Sequence, residues 1–238
     1  MARFLKNIIP VLVLLSALIF VIPTRTYLVD TIQSFALQTM LVYGFVAIVL
    51  MVGRQKKLAA SFFMAFSVIL AYVVSSLNTS NTQDYQFEEH AFRVANFNVL
   101  ESDTQYDEIA GEAHSTQADL LSFQEIDSLL MAELTVRLEE KYPYYHEAYS
   151  TEQEVTGVAV FSKYPVEGFT AYYWGGQPNL TGNVLLPDTS VHFVATHTLS
   201  PYSPNRYTKR NQHLQQLARY LEDIEGAVLA IGGFNAIP

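Results

Sequence analysis

The chain contains no cysteine. A disulfide framework is therefore excluded, and so is any metal site built on thiolates. That composition suits an oxidising compartment without requiring one. Charge is scarce as well, at 16% of residues, and it is unevenly placed. Residues 1–79 hold six Lys/Arg and a single acidic residue, Asp30. Residues 80–238 hold eight Lys/Arg against 22 Asp/Glu. The two segments carry +5 and −14, a compositional boundary near Asn78. The shortage of basic side chains in the second segment argues against tight nucleic-acid binding, which draws on clustered Lys and Arg to neutralise phosphates. No internal repeat and no low-complexity tract interrupts either segment.

What fills the first segment is apolar sequence, in three runs at about 4–22, 35–52 and 58–77. Each approaches the ~20 residues that cross a ~30 Å hydrocarbon core. Backbone groups in lipid must bond internally, so the runs are expected to be three transmembrane helices. No small-x-small cleavage site follows the first run, where Ile22, Pro23, Thr24 and Arg25 come next, so a cleaved signal peptide is disfavoured. Arg3 and Lys6 lie at the N-terminal end of the first run, and Arg54, Lys56 and Lys57 lie between the second and third. The positive-inside rule then puts the N-terminus and the second loop in the cytoplasm. The expectation is a multi-pass protein of the cytoplasmic (inner) membrane, with the lipid bilayer as partner. Its C-terminal domain would be extracytoplasmic. Residues 1–79 form the anchor, 80–91 a polar linker and 92–238 the domain. Asn78 and Asn179 each begin an Asn-x-Ser/Thr glycosylation pattern, which is frequent by chance.

In the second segment, strand-like and helix-like stretches alternate, which predicts a layered α/β domain. Strands are expected at Phe92–Leu100, Asp119–Gln124, Thr156–Ser162, Val191–Thr196 and Ala227–Ile231. The last is apolar throughout, as a strand covered on both faces would be. Helical spacing marks Tyr106–Gln117. Asp127 reads as the N-cap of a helix to about Tyr142, stopped by Pro143, and a third helix covers Asn205–Glu222 with Leu214, Leu217 and Leu221 on one face.

Polar residues cluster where these strands end: Asn98, Gln124 and Glu125, Thr196 and His197, and Asn235. Strand ends in α/β folds share an edge where ligands bind. An Asn, a Glu, a His and an Asn on one edge suit a hard-metal phosphate site, since Mg²⁺ takes oxygen ligands and keeps several waters. Each residue also has a plainer reading. Asn98 could cap a turn. Glu125 could be an acidic group in the first turn of the next helix. His197 alone is more often a surface or core residue than a catalyst. His192 and His213 look like ordinary strand and helix positions. Tyr142, Tyr144, Tyr145 and Tyr149 look like packing or surface residues.

The ordered segments NFNVL (96–100), LLSFQEID (120–127), GVAVFSKYPV (157–166), THTLSP (196–201) and GGFNAIP (232–238) resemble the endonuclease/exonuclease/phosphatase superfamily. That group includes pancreatic-type deoxyribonuclease, abasic-site endonucleases, neutral sphingomyelinases and inositol-polyphosphate 5-phosphatases. With the N-terminal runs, the chain is similar to bacterial membrane-anchored members. The resemblance implies a four-layer α/β sandwich of the deoxyribonuclease I-like type and phosphoester hydrolysis with Mg²⁺ or Mn²⁺. It makes Glu125 the metal-binding carboxylate, with Asn98 beside it. It makes His197 the histidine that contacts the scissile phosphate, and Asn235 the Asn of the Gly-Asp-Phe-Asn motif.

Two departures stand out. Gly233 replaces the Asp of that motif, and the sequence ends at Pro238, before the family's final Asp-His pair. The expectation is an incomplete sandwich that binds metal weakly and is impaired in catalysis. Its substrate would be a small phosphodiester, a phosphomonoester or a lipid headgroup. A nuclease of the same family and a non-catalytic remnant are the alternatives. Asp103 and His114 are the substitute bases to consider if the chain proves active.

Overall fold

A computed structural model describes residues 2–23, 26–77, 91–99, 105–151, 157–236. The linker, Asn78, Arg25 and Asp103 lie outside the described residues. The chain separates into two compact units, the N-terminal helices and the segment from the first strand to Asn235.

The N-terminal unit holds α1 (Ala2–Leu18), α2 (Tyr27–Gln33), α3 (Ala36–Val52) and α4 (Lys56–Ser76). Helix α4 alone, with 21 residues, is long and apolar enough to cross a membrane, because at ~1.5 Å per residue it reaches about 30 Å. Helices α2 and α3 reach that measure only as a pair, bent by 56° at their break, and α1 offers a shorter apolar stretch, Asn7–Leu18. The described helices thus supply one candidate span, or two with the bent pair, where the sequence predicts three. The short α2 was not anticipated. Its first turn is capped by Thr26, whose side chain accepts from the Val29 N–H. Small residues let the helices approach closely: Ala36, Ala47, Ala59, Ser61 and Ala65 are buried. Leu41, Phe45, Ile48 and Val52 point outward and are exposed.

The second unit is a sandwich of two four-stranded sheets, ordered β1-β2-β4-β3 and β5-β6-β7-β8. The first contains β1 (Val94–Asn98), β2 (Leu120–Ile126), β3 (Tyr144–Tyr149) and β4 (Gly157–Ser162). The second contains β5 (Val166–Trp174), β6 (Gln177–Leu185), β7 (Ser190–His197) and β8 (Val228–Gly233). Leu120, Val158 and Val160 of one sheet meet Leu180, Phe193, Ala195 and Ile231 of the other in a shared apolar core. On the outer side of the first sheet, Leu121, Phe123 and Phe161 pack against α5 (Tyr106–Ser115) and α6 (Ser128–Leu138) through Ala113, Leu130 and Leu134. On the outer side of the second, Trp174 and Val194 meet Leu217 of α7 (Pro204–Glu222). The layers run helix, sheet, sheet, helix, the order the resemblance implies.

Three strands escaped the sequence reading. β3 and β5 are Tyr-rich and half exposed. β6, Gln177–Leu185, is rich in polar residues, yet Gln177, Asn179 and Thr181 are almost fully buried. Asn179 is 0% exposed, which removes it as a glycosylation acceptor. The apolar β8 is not covered on both faces: Val228 and Ala230 are exposed among the described residues. The helix expected to run to Tyr142 ends at Leu138. Asp127 does cap it, accepting from the Leu130 N–H at 2.6 Å.

Candidate active site

Two parallel strand pairs build the site. β1 lies beside β2 with Asn98 opposite Gln124, and β7 lies beside β8 with His197 opposite Gly233. The C-terminal ends of all four strands therefore come to one edge of the sandwich.

Glu125 reaches that edge through a β-bulge. Gln124 pairs with Val158 and Ile126 with Gly157, so Glu125 is the extra residue, held at φ +60°. Strict alternation would turn Glu125 toward the helix-facing side with Phe123. The bulge gives that place to Ile126, which joins the core under α6, and re-aims the carboxylate. Across the gap, His197 follows Phe193 and Ala195 on the inner face of β7.

The carboxylate gathers two partners on one oxygen. Asn98 Nδ2 donates to Glu125 Oε1 at 3.0 Å. His197 Nε2 lies 3.2 Å from the same Oε1. Burial pushes the His197 imidazole below the usual histidine range; the adjacent carboxylate opposes that shift without cancelling it. Nε2 thus faces the Glu125 carboxyl, while Nδ1 is buried with no partner among the described residues.

Asn235 makes other contacts. It follows β8 at φ +44°, and its Nδ2 donates to the Thr198 carbonyl at 2.5 Å. Its own carbonyl accepts from Arg210 Nη1 at 2.5 Å. Asn235 therefore ties the end of β8 to the segment after β7 and to α7. Direct contact joins Asn98, Glu125 and His197 but does not include Asn235.

Behind the edge lies a polar cluster that sequence reasoning missed. His213 Nε2 is 2.7 Å from Asn179 Oδ1 and 2.9 Å from Thr196 Oγ1. Thr196 Oγ1 donates to the same Asn179 oxygen at 2.5 Å. Burial, and then the neighbouring His197, push His213 down to about 4. The available signal was the spacing of Arg210, His213 and Leu217, which places them on the buried face of α7. His114 belongs elsewhere: it packs against Tyr142 and meets the Arg137 carbonyl at 3.2 Å.

The described residues contain no group of three His, Cys, Asp or Glu able to hold a metal. Among the described residues, what is present is one carboxylate, whose Oε1 takes both contacts, next to an exposed amide. That donor set fits a hydrated Mg²⁺ or Mn²⁺ held by one protein carboxylate, and does not fit a closed transition-metal cage.

The family model described as "Endonuclease/Exonuclease/phosphatase family" matches residues 92–238. The chain belongs to the endonuclease/exonuclease/phosphatase family. Comparison with curated proteins gave no match. Solved structures resemble its fold. A β-hairpin deletion mutant of beta toxin from Staphylococcus aureus is 17% identical with a TM-score of 0.52, over 61% of this chain and 68% of that one. Sphingomyelinase C from Streptomyces griseocarneus is 18% identical with a TM-score of 0.52, over 61% and 64%. D. rerio TDP2 complexed with a single-strand DNA product is 15% identical with a TM-score of 0.53, over 62% and 62%. The chain thus spans about two thirds of the length of these structures. At such identities the likeness is one of fold, and this family member's chemistry has to come from its own residues.

Proposed function

We propose that this chain is a membrane-anchored phosphoesterase-family protein whose site binds a divalent cation weakly and hydrolyses phosphoesters poorly. The contact of Asn98, Glu125 and His197 at one sheet edge carries the reading. Glu125 would hold Mg²⁺ or Mn²⁺, helped by Asn98. Such an ion, when bound, polarises a phosphoryl oxygen and offsets its developing charge. His197 is placed to donate from Nε2 to a phosphate oxygen once it leaves Glu125. Asn235 fixes the segment just after Gly233 against Thr198. Gly233 offers no side-chain base or acceptor to orient an attacking water, and its carbonyl accepts from the Thr198 N–H; such a base usually contributes ~10²–10⁴-fold.

The substrate we favour is a small phosphodiester, a phosphomonoester or a lipid headgroup. Residues 80–238 carry −14, which repels a polyanion and disfavours the nuclease alternative. The apolar helices, with one to two candidate spans by length, support anchoring in a bilayer. A third crossing by α1 would put the catalytic unit outside the cytoplasm, as the basic loops favour.

The test measures Mn²⁺ binding by calorimetry and nitrophenol release from bis(p-nitrophenyl) phosphate, on the full chain in detergent. Weak binding that disappears in Glu125→Ala is expected, with turnover barely above that variant. Equal binding by Glu125→Ala would remove Glu125 from the site. Robust metal-dependent turnover by the unaltered chain would overturn the claim of impaired catalysis.

A further inference from the structure

Gly232 and Gly233 are adjacent, but their lack of a side chain serves different ends. Gly232 sits at φ +139°, and a Cβ there would fall 1.8 Å from the Thr196 carbonyl oxygen. Its obstacle is backbone, so the strand pairing itself requires glycine. Gly233 has no positive φ. A Cβ on it would instead lie 2.6 Å from His197 Nδ1 and 3.1 Å from Cε1. The obstacle here is a single side chain, the one that reaches Glu125.

We propose that Gly233 is a positioning residue: its bare Cα lets the His197 ring lie over it and close on Glu125, occupying a carboxylate oxygen that a cation would otherwise share. Three observations converge on this. His197 and Gly233 are register partners on β7 and β8. The ring nitrogen that faces Gly233, Nδ1, is buried and unpartnered, so no hydrogen bond on that side holds the ring where it is. The opposite nitrogen, Nε2, makes the contact with Glu125. The ring is therefore placed by one polar contact in front and by vacant space behind. Any side chain at 233 must push it from that position, because heavy atoms do not settle at 2.6 Å. The site is closed upon itself as a consequence of residue 233, and opening it frees Glu125 Oε1.

The effect on metal rests on the proposed role of Glu125 as cation ligand; the steric part does not. Gly233→Ala, His197→Ala and the double variant are prepared as full chains in detergent. Two readouts are taken: Mn²⁺ affinity, from the electron paramagnetic resonance signal of free Mn²⁺, and the His197 ring signals in a histidine ¹⁵N correlation spectrum. Gly233→Ala should shift the His197 signals and bind Mn²⁺ about two- to tenfold more tightly, the gain expected from releasing one hydrogen bond. His197→Ala should give a gain of similar size, and adding Gly233→Ala to it should add nothing. Unchanged affinity in Gly233→Ala, or an equal further gain in the His197→Ala background, overturns the inference.

If no variant binds Mn²⁺, the phosphoesterase reading falls, and the ring signals alone decide the inference. They must move in Gly233→Ala; if they do not, it is wrong. Should Gly233→Ala fail to fold, the double variant should still fold, since the obstructing ring is gone. Failure of both would show that the backbone, not His197, demands glycine, and would overturn the inference.

Discussion

A histidine kept neutral in the interior shapes the acid response of the α/β unit. His213 is 1% exposed, with Nε2 engaged by Asn179 and Thr196 and Nδ1 buried without a partner. Protonation would add a charge and an N–H with no acceptor to meet it. That is the physical content of its shift from 6.5 to about 4. The sign follows from linkage. Between those values the unfolded chain takes up a proton that the folded chain refuses, so stability falls as pH drops through that window. At ~1.4 kcal/mol per pH unit the loss is at most about 3 kcal/mol. His213→Gln should flatten this part of the profile, measured as the thermal midpoint at pH 7 against pH 4.5. An identical drop in both proteins would assign the acid sensitivity to other groups. The spacing of Arg210, His213 and Leu217 puts them on one helix face, but a histidine in an otherwise polar helix carries no further mark of burial. Its neighbours Asn179 and Thr196 come from two strands, one of which the sequence pattern does not mark.

At the scale of the element, the bulge in β2 converts a core strand into a site. Leu120, Leu121 and Phe123 are fully buried, and the same strand delivers an ionisable side chain one residue after Gln124. The conversion costs strain, because Glu125 is a non-glycine residue in the left-handed region. A left-handed conformation penalises a side-chain-bearing residue by roughly 1–2 kcal/mol. Glu125→Gly and Glu125→Ala both remove the carboxylate, so comparing them isolates the backbone. The glycine variant should be the more stable by about 1 kcal/mol in chemical denaturation. That order is the reverse of an ordinary strand position, where glycine weakens the strand. Greater stability of the alanine variant would rule out the bulge. The motif LLSFQEID already pointed to Glu125 by resemblance. What it did not contain was the register slip that turns the side chain inward.

At the scale of the whole molecule, the division of charge is what the proposed topology and substrate class rest on. A +5 segment of apolar helices precedes a −14 segment. If the N-terminus and the loop before α4 are cytoplasmic, a reporter that works only outside the cytoplasm, fused after residue 90, should be active. A silent reporter there, with a cytoplasmic one active at the same fusion point, would reverse the orientation. The number of crossings depends on α1, whose apolar stretch Asn7–Leu18 is short, and on whether the bent pair α2 and α3 acts as one span. Hydropathy alone counts apolar residues; it does not register the break near Phe35 that divides the middle run from α2.

The class of each segment is legible in the chain alone, because hydrophobic periodicity, charge distribution and capping act over a few residues and can be read locally. The apolar helices, the strands β1, β2, β4, β7 and β8, the cap at Asp127 and the family resemblance all follow from such local signals. Only the tertiary structure decided which polar residues became interior. Gln177, Asn179, Thr181 and Arg210 look like surface residues one by one, and they are buried because distant strands and a helix satisfy or cover them. It also decided that Asn98 and His197 converge on Glu125 while Asn235 turns to Thr198. Those contacts join residues 27, 37 and more positions apart. Their geometry depends on a bulge, a parallel register and the vacant space over one glycine, none of which a linear pattern encodes.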